Sequence, residues 1–200
     1  MKPRDECVDA TVDLRAGLVP RVVMTAAART SSDEARLARA ARAGDRAAFG
    51  ELYARYARMV HGILLARAPR REVDDLVQDV FLLALRRLDG LRNPDAFGPW
   101  LAMIARNRAT DHFRRDREEA GELPDHLPGA PHPEGEAVVV LAAIRGLPEA
   151  YREPLILRLV EGMTGPEIAE RTGLTPGSVR VNLHRGIQML RERLGKEAAP

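Results

Sequence analysis

A single cysteine, Cys7, stands in 200 residues, which excludes an intramolecular disulfide framework and any CxxC metal site. Aromatic residues are only 4% of the chain against a hydrophobic fraction of 45%, so any core must be aliphatic and alanine-based. β-branched runs are few, and a composition rich in Ala and Arg points to an all-α protein. No apolar run approaches the length of a membrane span, and Arg15 and Arg21 interrupt the one apolar stretch near the N-terminus, so neither membrane insertion nor a signal peptide is expected. The expected location is the cytoplasm. A large excess of one charge is also missing: 31 basic and 29 acidic residues leave a formal net charge of +2. This is not a general nucleic-acid packager; its charge is segregated along the chain instead. Finally, no Gly-rich phosphate loop, metal-ligand cluster or nucleophile–base pair is present, so the chain reads as a non-enzyme with no catalytic residue, metal or cofactor.

What is present centres on the stretch from Leu147 to Leu194, which reads as a helix-turn-helix behind a support helix. Thr164 followed by Glu167 is a capping box for a short helix ending near Arg171. Gly173 can turn left-handed after it, and Thr175 with Pro176 forms the N-cap and first position of a second helix. Val179, Leu183, Ile187, Leu190 and Leu194 fall at helical spacing on one side of that helix. The other side carries Arg180, Asn182, Arg185 and Gln188. Guanidinium and amide groups are what base edges and phosphates pair with, so this segment is expected to bind DNA.

Upstream, residues 1–31 show no helical or strand period and read as a disordered tail, in which Met24 would serve equally well as a start. A short helix over DEARLARAARAG stops at Gly44, and Asp45 caps a longer one that Pro69 ends. Phe49, Leu52, Tyr53, Tyr56, Val60, Ile63 and Leu64 share one face of that longer helix, as core rather than as a ligand box. The next helix, Glu72–Leu88, has the most regular stripe: Val73, Leu76, Val77, Val80, Phe81, Ala84, Leu85 and Leu88. Asp74, Asp75, Gln78 and Asp79 decorate its first half. Acids there complement the helix dipole, and they also make a docking surface for a basic partner; pattern alone does not decide.

After the breaker-rich loop DGLRNPDAFGP, Trp100 opens a helix whose Arg106, Asn107, Arg108, Arg114 and Arg115 form a basic, amide-bearing face. Arginines beside an aromatic suit single-stranded nucleic acid, although Trp100 could equally be a core anchor. Residues 116–136, rich in Pro, Gly and acids, read as a flexible linker; His126 and His132 within it are too loosely held for a metal site. A helix from about Ala137 to Arg145 then leads into the helix-turn-helix unit.

Together, DDLVQDVFLLAL, WLAMIARNRATDHFRR, LPEAYREPLILRLVEGMTGPEIAERTG and SVRVNLHRGIQMLRERL resemble bacterial RNA polymerase sigma factors of the extracytoplasmic-function (ECF) group. The resemblance covers roughly residues 35–115 and 137–194. It implies an all-α fold of two small helical domains, sigma region 2 over 32–115 and sigma region 4 over 137–195, with linker 116–136 and a short tail over 196–200. It implies core RNA polymerase, promoter DNA and an anti-sigma factor as partners. Asp75, Gln78 and Asp79 match the polymerase-gripping surface, which favours docking for the acidic patch. The loop Leu91–Pro99 matches the one that captures a flipped-out base of the −10 element. Asn93, Trp100, Arg106, Asn107, Arg114 and Arg115 match the strand-melting and −10 surface. Thr175, Ser178, Arg180, Asn182 and Arg185 match the −35 reader. The chain departs from the family where Lys-Ser-Arg is common and Arg180-Val181-Asn182 stands here, and where Ile187 replaces a frequent basic residue. Promoter preference is expected to differ accordingly.

The main alternative is a dimeric helix-turn-helix regulator acting without polymerase, which predicts a stable homodimer and palindromic sites. A decoy that titrates an anti-sigma factor should lack a basic DNA face, yet two basic helices are present.

Overall fold

The computed structural model describes residues 33–120 and 135–197, with side chains over 33–114 and 137–195. Helices and short 3-10 turns make up its regular structure, and there is no strand among the described residues. The tail, Cys7, His126 and His132 lie outside them.

Helix α1 spans residues 33–42 and gives way to Gly44, whose φ of +97° suits a residue without a side chain. The Asp45 carboxylate then accepts the Ala47 and Ala48 N–H groups at 2.9 and 3.1 Å and opens α2, Arg46–Leu65. Leu52, Tyr56, Val60, Ile63 and Leu64 are buried along it, as their period predicts. Tyr53 is not: it is 42% exposed, its ring 4.4 Å from that of Phe81. The helix also ends four residues ahead of Pro69. Arg145, from the other half of the chain, donates to the carbonyls of Leu65 (2.9 and 3.0 Å) and Ala68 (2.7 Å), satisfying acceptors that a helix end leaves open.

Helix α3, Val73–Arg87, is flanked by 3-10 turns at Arg70–Glu72 and Leu88–Gly90. Val73, Leu76, Val77, Val80, Phe81 and Ala84 face the core, and Leu88 is buried in the turn that follows. Leu85, expected in the stripe, is 47% exposed. It sits one residue beyond Ala84, about 100° round the helix, where the apolar stripe outruns the core it packs on.

Helix α4, Phe97–Ala120, begins three residues before Trp100. Asn93 accepts the Asp95 N–H at 3.1 Å, Pro94 starts a single 3-10 turn, and Phe97 carries that turn into the helix. Phe97 is 1% exposed, with ring centroids 5.2 Å from Tyr56 and 5.7 Å from Trp100, so its burial fixes where the helix begins. The helix runs on through Ala120, into residues whose composition reads as linker. Helix α5, Gly135–Arg145, likewise starts earlier than Ala137. Three helices follow: α6 (Glu149–Leu159), α7 (Gly165–Thr172) and α8 (Pro176–Glu197).

The two halves expected as domains pack on each other, and one continuous core runs through both. Helix α2 packs on α6, and α4 packs on α7. Ile144, Leu155, Ile156 and Leu157 of the second half are fully buried, in one cluster with Met59, Ile63 and Leu64 of the first. Gly62 sits at the junction of the two halves: a Cβ there would lie 2.7 Å from Cδ2 of Leu157.

Candidate nucleic-acid interface

The helix-turn-helix is built by its caps. Glu167 Oε2 accepts the Thr164 backbone N–H at 2.7 Å, and Thr164 Oγ1 accepts the Glu167 N–H at 3.4 Å, closing the reciprocal box. The same Thr164 N–H and hydroxyl hold the Glu167 carboxyl below its ordinary value. Gly173 ends α7 with φ +76°, in the left-handed region. Thr175 Oγ1 then accepts the Ser178 N–H at 3.1 Å and starts α8. Val179 and Leu190 bury the back of α8, with Leu183, Ile187 and Leu194 partly covered. Gly186 lets this back approach α6 closely: its Cβ would meet Leu155 Cδ1 at 2.9 Å.

With its back fixed, α8 presents a definite front. Arg180, Arg185 and Gln188 are exposed, and Asn182 is half-buried on the flank. Val181, 42% exposed, and the exposed His184 stand opposite Val179 and Leu190, in one arc with Arg185 and Gln188. Residue type alone does not single out Val181 and His184. Their angular position, read from the Val179–Leu190 back at about 100° per residue, would have found them. Thr175 and Ser178 are engaged with one another at the N-cap, their hydroxyls 2.8 Å apart.

On α4 the expected residues divide. Asn107 and Arg114 are exposed on one face, with the half-exposed Met103 between Trp100 and Asn107. Trp100 is partly buried against the core, its ring on Phe97, so it acts at least as an anchor. Asn93 is exposed, while its side-chain oxygen caps the 3-10 turn. The Arg115 side chain lies outside the described residues. Arg106 faces away from this surface. Its Nε and Nη2 donate to the two oxygens of Glu153 on α6 at 3.1 and 2.7 Å, and Nη2 also reaches the Thr172 carbonyl at 3.3 Å.

The acidic patch on α3 is partly engaged as well. Asp74, Asp75 and Gln78 are exposed, whereas Asp79 accepts two hydrogen bonds from Arg108 of α4, at 2.5 and 3.2 Å. An open groove of about 730 Å³ borders the patch, lined by Tyr53, Arg58, His61, Asp74, Gln78 and Glu161 among others.

Charged pairs lock the two halves together. Glu153, 4% exposed, receives Arg67 at 2.8 Å in addition to Arg106, and Arg67 extends to Glu149 at 3.2 Å. Glu161, also buried, lies 2.6 Å from His61 and 3.8 Å from Arg58. The Glu161 hydrogen bond raises His61 above its ordinary value, against the opposing effect of burial. Arg171 donates to the Arg55 carbonyl at 2.7 Å while lying over the Tyr56 ring. Beneath it, burial and the bond to Glu34 keep the Tyr56 phenol protonated. The pairs between the halves escape a reading of the sequence, because partners 47 to 116 residues apart leave no local pattern. No cluster able to hold a metal ion occurs among the described residues, and no helix there is long and apolar enough to cross a membrane.

A helix-turn-helix with a free polar front, behind a helical bundle that carries a second amide- and arginine-bearing helix, defines a two-headed DNA-binding protein. Residues 52–119 match Sigma-70 region 2 and residues 137–190 match Sigma-70, region 4. The chain is 35% identical over 164 residues to the RNA polymerase sigma factor CarQ of Myxococcus xanthus, spanning 78% of this chain and 94% of that one. It is 30% identical to the ECF RNA polymerase sigma-E factor of Haemophilus influenzae over 76% of this chain and 89% of that one. Among solved structures it resembles CnrH in complex with the cytosolic domain of CnrY: TM-score 0.59, 29% identity, 83% of this chain and 99% of that one covered. The chain belongs to the sigma-70 family and is an RNA polymerase sigma factor of the ECF group.

Proposed function

We propose that this sigma factor docks on core RNA polymerase through Asp75, Gln78 and Asp79 on α3 and directs initiation at promoters with separate −10 and −35 elements. Residues 32–115 form the polymerase- and −10-binding unit, residues 137–195 the −35-binding unit, and 116–136 the connection. On α4, Asn107 and Arg114, with Asn93, Trp100, Arg106 and Arg115, engage the unpaired strand. On α8, Arg180 and Arg185, flanked by Asn182 and started by Thr175 and Ser178, read the duplex. Polymerase supplies the catalysis and the chain itself none; it works in the cytoplasm. CnrH is held by the cytosolic domain of another protein, and an anti-sigma factor is the corresponding partner proposed here.

The observation that carries this reading is the front of α8. Its arginines and glutamine are exposed on a helix whose back and caps leave no freedom to turn them inward. In vitro transcription with purified bacterial core polymerase on a pooled promoter library is the test. Transcripts that require the protein and share two spaced elements upstream of their starts are the expected result. No protein-dependent transcript with a cognate core, together with dimeric binding to palindromic duplex, would replace the sigma reading with that of a free-standing regulator.

A further inference from the structure

The arginines of the first half divide by position. Arg36 sits with Asp33, Arg55 with Glu51 and Arg108 with Asp79. Six others stand at one end of the bundle: Arg39 and Arg42 in the last turn of α1, Arg46 opening α2, Arg86 and Arg87 closing α3, and Arg92 in the loop that follows. All six are exposed, and none has an ion-pair partner among the described residues. Two contacts bring them together. Arg42 Nη1 donates to the Leu91 carbonyl at 3.4 Å, which sets the end of α1 beside Arg92. The Phe49 and Phe81 rings, 6.4 Å between centroids, set the first turn of α2 beside the second half of α3. Asp45 at this end is spent on its cap, and the exposed Asp89 and Asp95 do not balance six guanidinium groups. Helix dipoles favour arginine at the ends of α1 and α3, but Arg46 lies at the opposite, unfavourable end of its helix and Arg92 lies in none.

The place of this patch in the fold gives it a partner. The loop Leu91–Pro99 runs along α1. Its first residue receives Arg42, and Phe97 near its other end packs on Tyr56, whose hydroxyl donates to Glu34 in the first turn of α1 at 2.6 Å. Helix α4 leads away from the loop towards residues 121–134 and so to the −35 unit, which lies upstream on a promoter. An unpaired strand followed along α4 towards the start site therefore meets the loop, and beyond the loop the arginines. Guanidinium forks take phosphodiester oxygens whatever the base.

We infer that Arg39, Arg42, Arg46 and Arg92 form a phosphate track that holds the unpaired strand downstream of the −10 element, between that element and the start site. The inference rests on the sigma-factor reading. It adds a DNA contact that is independent of base sequence and is made by α1 and the first turn of α2.

The test uses holoenzyme reconstituted from core polymerase and the full chain, with two fluorescein-labelled single strands. The short one carries the −10 element that library transcription reveals; the long one adds an oligothymidine tail on its downstream side. The readout is the ratio of the two affinities within each protein, so a general loss of binding cancels. Arg39→Gln combined with Arg42→Gln should lower the gain from the tail about tenfold at low salt. The log–log salt slope on the long strand should become shallower by about 1.4, two contacts at ~0.7 each. Arg42 also steadies Leu91, so Arg39→Gln combined with Arg46→Gln, which leaves that bond intact, decides if the first pair fails to fold. A tail that adds nothing to wild-type binding, or an unchanged gain in a folded pair, would overturn the track. So would weaker assembly with core and a retained gain from the tail, which would assign the patch to an acidic polymerase surface. Library transcription by the wild-type chain separates the two failures: initiation without a tail effect rejects only the track, and no initiation rejects the sigma reading beneath it.

Discussion

His61 on α2 and Glu161 in the turn after α6 form an ion pair across the interface between the two halves, Nδ1 to Oε1, at 2.6 Å. The hydrogen bond that the imidazole donates to Glu161 is the main reason it holds its proton above the usual range; burial opposes it, Asp74 assists and Arg70 resists. A raised value in the folded state has a definite sign. The stabilisation is complete below the unfolded value of about 6.5 and disappears as pH rises through the higher folded value. Urea unfolding midpoints of the wild-type chain should therefore fall, as pH rises above about 6.5, by more than those of His61→Gln. Parallel profiles for the two proteins would remove His61 from the interface balance.

Two glycines of α2 give opposite expectations for one substitution. Gly50 is exposed, with nothing within 4 Å of where an added methyl would sit, so Gly50→Ala should stabilise by about 0.5–1 kcal/mol through chain entropy and helix propensity. Gly62→Ala places a methyl 2.7 Å from Leu157 and 2.9 Å from Glu161, where the halves meet. That crowding should cost about 1–3 kcal/mol net and push α6 away from α2. Thermal unfolding of both variants checks the sign. A stabilised Gly62→Ala chain would mean that the α2–α6 contact is looser than these distances require.

These glycines also show what the sequence could tell. Local signals were legible: the Thr164–Glu167 box, Gly173, Asp45 and the α3 stripe each involve residues within one or two turns, so their chemistry is written in adjacent letters. The closed interface was not. Nothing next to Glu153, Arg67 or Arg106 in the sequence marks them as partners, and only the fold brings them together. Nor does the sequence tell that Arg106 is bonded to Glu153, since an arginine on a basic helix looks alike whichever way it points. Tyr53 and Leu85 erred in the other direction: apolar period marks what can be buried, and α2 and α3 each carry more apolar surface than their core contacts cover.

Thr164 is the most economical place to weaken the second DNA-reading unit without touching its front. Thr164→Ala removes the acceptor for the Glu167 N–H and the hydroxyl that donates to the Glu167 carboxylate, leaving only the backbone N–H of residue 164 to hold it. The loss should be about 1 kcal/mol of stability. Glu167 owes its low value first to the Thr164 backbone N–H, which alanine keeps, and second to the hydroxyl, which it loses, so the variant's Glu167 should titrate part of the way back towards an ordinary glutamate, which carbon-13 NMR of the carboxyl can follow. An unchanged titration would show that the backbone N–H alone holds that carboxylate.

The front of α8 makes distinct predictions for neighbouring residues. Arg185 is exposed beside Val181, opposite the buried Val179 and Leu190, whereas Asn182 is half-buried on the flank. If base edges are read from this front, Arg185→Ala should lose about 1–3 kcal/mol of discrimination at one position of the −35 element, the size of a bidentate arginine–guanine contact. Val181→Ser should relax preference for thymine at a neighbouring position, since its methyl groups are the partner a thymine C5-methyl needs. Asn182→Ala, being on the flank, should change binding less than Arg185→Ala. Selection of −35 sequences by each variant with core polymerase would rank the three. A larger shift for Asn182→Ala than for Arg185→Ala would mean that α8 enters the groove rotated towards its Asn182 edge.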